Sequence, residues 1–115
     1  MEEYVLLFRM DITTKSAQPT ADQMKVYMKQ WMGWLHALSK NDRLADGGNH
    51  FSTDGAVVRS GNKITNGPYT ARKESVAGYI NIRAKNIDDA IKVAADCPIL
   101  QGEGTSVEIR KPEHF

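Results

Sequence analysis

Residues 75–84, Ser75-Val76-Ala77-Gly78-Tyr79-Ile80-Asn81-Ile82-Arg83-Ala84, decide the fold. Successive side chains of a strand point to opposite faces. Val76, Gly78, Ile80, Ile82 and Ala84 therefore share one side, and Ala77, Tyr79, Asn81 and Arg83 the other. The alternation predicts a strand with one face on a core and the other carrying phenol, amide and guanidinium groups. Downstream, Asn86 is placed to cap a helix in which Ile87, Ala90, Ile91 and Ala94 keep helical spacing. Asp88 and Asp89 suit its positive start, and Cys97-Pro98 ends it. Ser106–Arg110 then alternates again, with Val107 and Ile109 inward and Ser106, Glu108 and Arg110 outward.

Upstream, Asn66-Gly67-Pro68 breaks regular structure, because proline lacks the ladder donor, and opens a loop that runs to Glu74. Short strands are expected near His50 to Thr53 and Ala56 to Ser60, paired as a hairpin across Asp54-Gly55, with a further turn at Gly61-Asn62 before Lys63 to Thr65. Thr20 and Gln23 form a capping box that starts a long helix reaching about Lys40. Met24, Tyr27, Met28, Trp31, Leu35 and Leu38 make its apolar stripe, with Met32 and Trp34 on the margins and His36 on the polar side. Tyr4 to Met10 reads as a strand with both faces mostly apolar, which suits a central position.

Strand, long helix, short strands, strand, helix, strand is the order of a ferredoxin-like α+β plan with both helices on one sheet face. The opposite face carries alternating aromatic and charged residues and needs a cover. The expectation is a second copy packed sheet to sheet around a semi-polar cavity, hence a homodimer.

The 115 residues form one domain, 1–115, without a repeat, low-complexity tract or linker. Fifteen basic against fourteen acidic residues leave a charge of +1, which argues against nucleic acid as the partner. A single cysteine and three scattered histidines offer no zinc spacing, so neither metal nor tightly held cofactor is expected. No apolar run approaches the roughly 20 residues that cross a bilayer, and acids stand where a signal peptide carries basic residues. The reading is a cytoplasmic protein with no membrane partner.

The segment Asn66-Gly67-Pro68-Tyr69-Thr70-Ala71-Arg72-Lys73-Glu74, followed by Ala77-Gly78-Tyr79, resembles the signature of the YCII-related family in the branch named for the motif DGPFAETKE. The opening Tyr-x-Leu-Leu strand, the helix bearing Trp31, the Asp-Asp-Ala-Ile helix and the closing Val-Glu-Ile-Arg extend the likeness over nearly the whole chain. The resemblance implies a dimeric α+β barrel and little about reaction. Asn66 replaces the motif's aspartate, Tyr69 its phenylalanine and Ala71 one glutamate, so two carboxylates are missing. Some relatives outside this branch are small-molecule lyases or dehydrohalogenases with a histidine–aspartate pair, for which this sequence has no counterpart. Members of the branch are often encoded beside regulatory sigma factors, which implies a protein-interaction module as another reading.

The leading expectation is a small-molecule-binding protein with an inter-sheet cavity for an anionic or aromatic metabolite. The alternative is a cofactor-free lyase, dehydrohalogenase or isomerase acting on a hydroxylated ring. Glu74, the carboxylate that the motif retains, and His50, after the Gly47-Gly48-Asn49 turn, are the candidate bases. Arg9, Arg59, Arg83 and Arg110 are the candidate anion clamp, with Asn66, Tyr69 and Tyr79 completing the ligand-binding set. Each has a plainer reading as turn residue, salt-bridge partner or solvated sheet face. Trp31 is expected in the core and Cys97 as a small buried hydrophobe, while His114 lies at a frayed end.

Overall fold

The computed structural model describes residues 1–14, 16, 18–70 and 73–113; His114 and the Ala71-Arg72 part of the signature lie outside them. Strand β1 (Glu2–Met10) is followed by helix α1 (Ala21–Lys40), strands β2 (Leu44–His50), β3 (Ala56–Arg59), β4 (Lys63–Asn66) and β5 (Ser75–Ala84), helix α2 (Ile87–Ala95), a 3-10 turn Pro98–Gln101 and strand β6 (Ser106–Arg110). Four strands form one antiparallel sheet in the order β2-β5-β1-β6, while β3 and β4 form a separate two-stranded arm. With the arm set aside this is an α+β arrangement compatible with a ferredoxin-like plan. β1 is flanked on both sides, as its two apolar faces require.

Pairing sets the faces. Tyr4 lies opposite Ile82, Leu6 opposite Ile80 and Phe8 opposite Gly78, and this side meets Leu38 of α1, Ala90 and Ala94 of α2, and Ile99. Leu6, Ile80 and Ile82 are fully buried, each contributing about 1.5–3 kcal/mol by leaving water. Both helices therefore lie on one face, and the molecule is only 19 Å thick along its shortest axis. The ladder slips between Phe8 and Arg9, so Arg9 pairs with Val76 and Ala77 becomes the extra residue. The bulge overturns the simple alternation there: Ala77 is buried, and Val76 takes the register position beside Arg9.

α1 starts at the expected box, in which the Thr20 side chain accepts from the Gln23 N–H and the Gln23 side chain accepts from the Thr20 N–H. It ends in a Schellman turn, with Arg43 N–H donating to Leu38 O and Asp42 N–H to Ser39 O, and Asp42 at φ 57° in the position usually given to glycine. Its buried face differs from the sequence stripe. Tyr27, Trp31, Trp34, Leu35 and Leu38 pack inward, whereas Met24 and Met28 stay exposed. Trp34 joins Phe8 and Trp31 in an edge-to-face cluster, and so much ring area turns the helix toward it.

The hairpin also differs from expectation. The pairing is between β3 and β4, and β2 lies earlier than His50–Thr53 and runs through Gly47-Gly48. Gly61 at φ 80° and Asn62 at φ 60° supply the left-handed turn between Arg59 and Lys63, the backbone sense that matches strand twist.

Candidate functional site

β2 is held against β5 by two glycines. A Cβ on Gly48, which has φ +62°, would stand 1.8 Å from the Tyr79 carbonyl oxygen, and one on Gly78 would stand 2.6 Å from that of Asn49. Only glycine permits both approaches. Between Leu44 and Asn49 the register shifts twice. Behind this irregular segment lies a cavity of about 140 Å³, walled by Phe8, Trp31 and Ile80 on the core side and by Gly47–His50 and Ala77–Tyr79 of the two strands. An apolar cavity of roughly 150 Å³ is enough to hold benzene.

The aromatic wall is rigid. The Phe8 and Trp31 ring centroids are 4.8 Å apart at 78°, and Trp34 backs Trp31 at 5.5 Å. His50 is exposed and lines the cavity, whose strand wall includes Tyr79; the Tyr79 hydroxyl itself accepts from the Asn49 amide at 3.2 Å on the open sheet face. Phe51 tilts over Tyr79 with centroids 5.9 Å apart. His50 and Tyr79 are thus the two residues of the sequence-derived set that one cavity brings together.

The others fall into separate groups. On the open sheet face, Arg9 Nε and Nη2 donate to Glu108 Oε1 at 2.9 and 2.8 Å, and Arg9 Nη1 donates to the Glu74 carbonyl at 2.8 Å. Arg110 Nη1 reaches Glu108 Oε2 at 3.4 Å. The Arg9 guanidinium holds the Glu108 carboxyl below the ordinary glutamate range. Glu74 takes part through its backbone, while its side chain is exposed and lies outside the cavity lining. Arg83 is tied to Asp42 at 3.0 Å and to the Leu44 carbonyl at 3.1 Å, at the other end of the sheet. Arg59 lies 5.3 Å over the Tyr69 ring, and Asn66 pairs with Ala56 on the arm. Within one chain the arginines do not converge.

The register shows what that open face presents. Asp46, Asn81, Val5 and Arg110 follow one another across the four strands, and beside them run Asn49, Tyr79, Leu7 and Glu108. Its centre is therefore Val5, Leu7 and Asn81, and charged residues stand on the edge strands. Asn81 Oδ1 is buried without a hydrogen-bond partner, an unpaired acceptor among the described residues. Among those residues no group of three His, Cys, Asp or Glu side chains gathers, and no helix is long and apolar enough to cross a membrane. Cys97, just past the end of α2, is buried, and burial pushes its thiol up to about 12.

The family model of the YCII-related domain matches residues 7–112. This chain belongs to the YCII-related domain family. No curated protein matches it. The matched span of this YCII-related chain contains the cavity, the arm and the open sheet face apart from Val5. Sequence reasoning about the YCII-related chain missed Phe8, Gly47, Gly48 and Asn49 as cavity residues. A glycine inside a strand is a signal of close backbone approach, and Gly78 in β5, which lies opposite His50 and against the Asn49 carbonyl, carried it. Trp31, read as core, is both core and cavity wall.

Proposed function

We propose that this chain is a DGPF-type member of its family that binds a small aromatic metabolite with a hydroxyl or anionic substituent, without metal or tightly held cofactor, and works as a homodimer. The carrying observation is the cavity walled by Phe8 and Trp31 with His50 at its strand side: its volume suits one ring, and the imidazole supplies one hydrogen bond to a ring substituent. The homodimer reading is supported by the open sheet face, which has Val5 and Leu7 at its centre beside Asn81 and charged residues on its edge strands, a layout that suits a subunit interface. In such a pair Arg9 and Arg110, each sharing Glu108, sit where two sheets meet and add positive charge to the space between them.

A titration of ¹⁵N-labelled protein with benzoate, phenol and cyclohexanecarboxylate tests the ligand class. Binding in the cavity moves the Gly47, Gly48 and His50 amides and the Trp31 indole saturably, with the aromatic probes ahead of the aliphatic one. Shifts confined to other surfaces, or none at millimolar probe, refute it. The enzymatic alternative, proton transfer or elimination on a hydroxylated ring, has His50 as the base, since Glu74 does not reach the cavity. His50→Ala then abolishes product formation while ring binding to the Phe8–Trp31 wall persists.

A further inference from the structure

The β3–β4 arm springs from the sheet end where Met10 pairs with Ser75 and Phe51 N–H donates to the Ala77 carbonyl, and it is closed at its base by Gly67 N–H to Gly55 O at 2.7 Å. Its two faces differ. On one, Val57 is half-buried and Arg59 packs over Tyr69. On the other, Val58 and Ile64 are directly opposed, with Ala56 beside them, and they are 68% and 67% exposed. A lone two-stranded hairpin is marginal in water, and two opposed β-branched side chains form an adhesive pair that its own chain leaves wet.

The surface area says how much is left uncovered. The chain exposes 8282 Å² at a mass of 12.8 kDa. A compact monomer of that size exposes about 6,300 Å², so the excess is on the order of 2,000 Å², against about 800 Å² per partner in a standard interface. The radius of gyration of 15.4 Å agrees; a compact chain of this length has about 13 Å.

We infer that the Ala56–Val58–Ile64 face of the arm packs against a second copy of this chain, making the arm part of the subunit interface. The inference rests on the homodimer reading and adds an element to it: the two-stranded arm grips the neighbouring subunit in addition to the contact between open sheets. The excess area accommodates both contacts, and the exposed positions make none within their own chain that a substitution would break.

Sedimentation velocity on the full chain tests this with Val58→Asp/Ile64→Asp, with Val58→Thr/Ile64→Thr, and with Leu7→Asp on the open sheet face. The threonine pair keeps β-branching and so preserves the arm while removing the apolar contact. The expected result is a wild-type dimer at micromolar concentration, about a tenfold or greater weakening in both arm variants, and an unchanged far-UV circular dichroism spectrum. A wild-type dimer whose association is untouched by both arm variants overturns the arm's role and leaves the homodimer standing. A wild type that stays monomeric to about 100 µM overturns both.

Discussion

Gly48→Ala is the sharpest test of how β2 is held, with Gly47→Ala beside it as its control. At Gly48 the added methyl would sit 1.8 Å from Tyr79 O and 2.7 Å from Tyr79 C, both backbone atoms that no rotamer can move. The strand itself must shift. The φ of +62° costs a non-glycine residue about 1–2 kcal/mol, and losing two β2–β5 hydrogen bonds costs about 1 kcal/mol each. Together these come to about 3–4 kcal/mol. At about 4 °C per kcal/mol for a chain of this length, Tm falls by about 12–16 °C. At Gly47 a methyl meets nothing within 4 Å and φ is not positive, so Gly47→Ala leaves Tm within about 3 °C. Differential scanning calorimetry reads both. Gly78→Ala, whose methyl would meet Asn49 O at 2.6 Å, acts on the same seam. The double substitution with Gly48→Ala is less than additive because a displaced β2 no longer presses on either site. Equal melting temperatures for Gly47→Ala and Gly48→Ala would refute the account of the seam, and with it the placement of Gly47–His50 along the cavity.

Asp42→Gly removes a positive-φ penalty at the end of α1 and gives up an exposed pair with Arg83, so chemical denaturation shows a gain of about 0.5 kcal/mol; Asp42→Asn, which breaks the pair without relieving the backbone, shows none. The Asp89 carboxyl is held below its ordinary range, first by the Lys85 N–H and then by Arg43, and Glu108 is held down by Arg9. Carboxyls depressed in the folded state stabilise it above their unfolded values near about 4, and that stabilisation is lost as pH falls through the folded ones, so Asp89→Asn flattens the acid limb of a Tm-against-pH curve. Cys97 has the opposite sign: its thiol is pushed up to about 12, so the unfolded chain ionises first, near about 8.5, and stability declines as pH rises past that value. Thiol labelling of the native protein at pH 8 therefore proceeds only through unfolding; fast stoichiometric labelling would contradict the burial.

The legible parts of the fold were those governed by local rules. The limits of β5, the Asn86 cap, the Thr20–Gln23 box and the closing strand Ser106–Arg110 all follow from periods of two and 3.6 and from capping side chains, which act over a few residues. β2 was displaced because Gly47-Gly48 reads as a turn when its neighbour is unknown. Gly48 becomes a means of approach once the Tyr79 carbonyl of β5 lies against it, as Gly78 does against the Asn49 carbonyl. α1 was read with Met24 and Met28 in its stripe because spacing cannot say how far the sheet extends beneath a helix, and the Phe8–Trp31–Trp34 contacts settled the rotation.

Sequence alone determined the order of elements, the α+β class, the family likeness and the list of side chains able to do chemistry, since each depends on residues near one another along the chain or on a contiguous signature. Tertiary structure decided which of those side chains meet. His50 and Tyr79 line a cavity with Phe8 and Trp31, Glu74 stays outside it, and Arg59 and Asn66 ride on an arm with Tyr69 just past its base, because these juxtapositions depend on strand register, its shifts along β1–β5 and β2–β5, and two glycine contacts between segments about 30 residues apart. A register shift of a single residue carries a side chain to the other face of the sheet, and no count along the chain reveals where that shift falls.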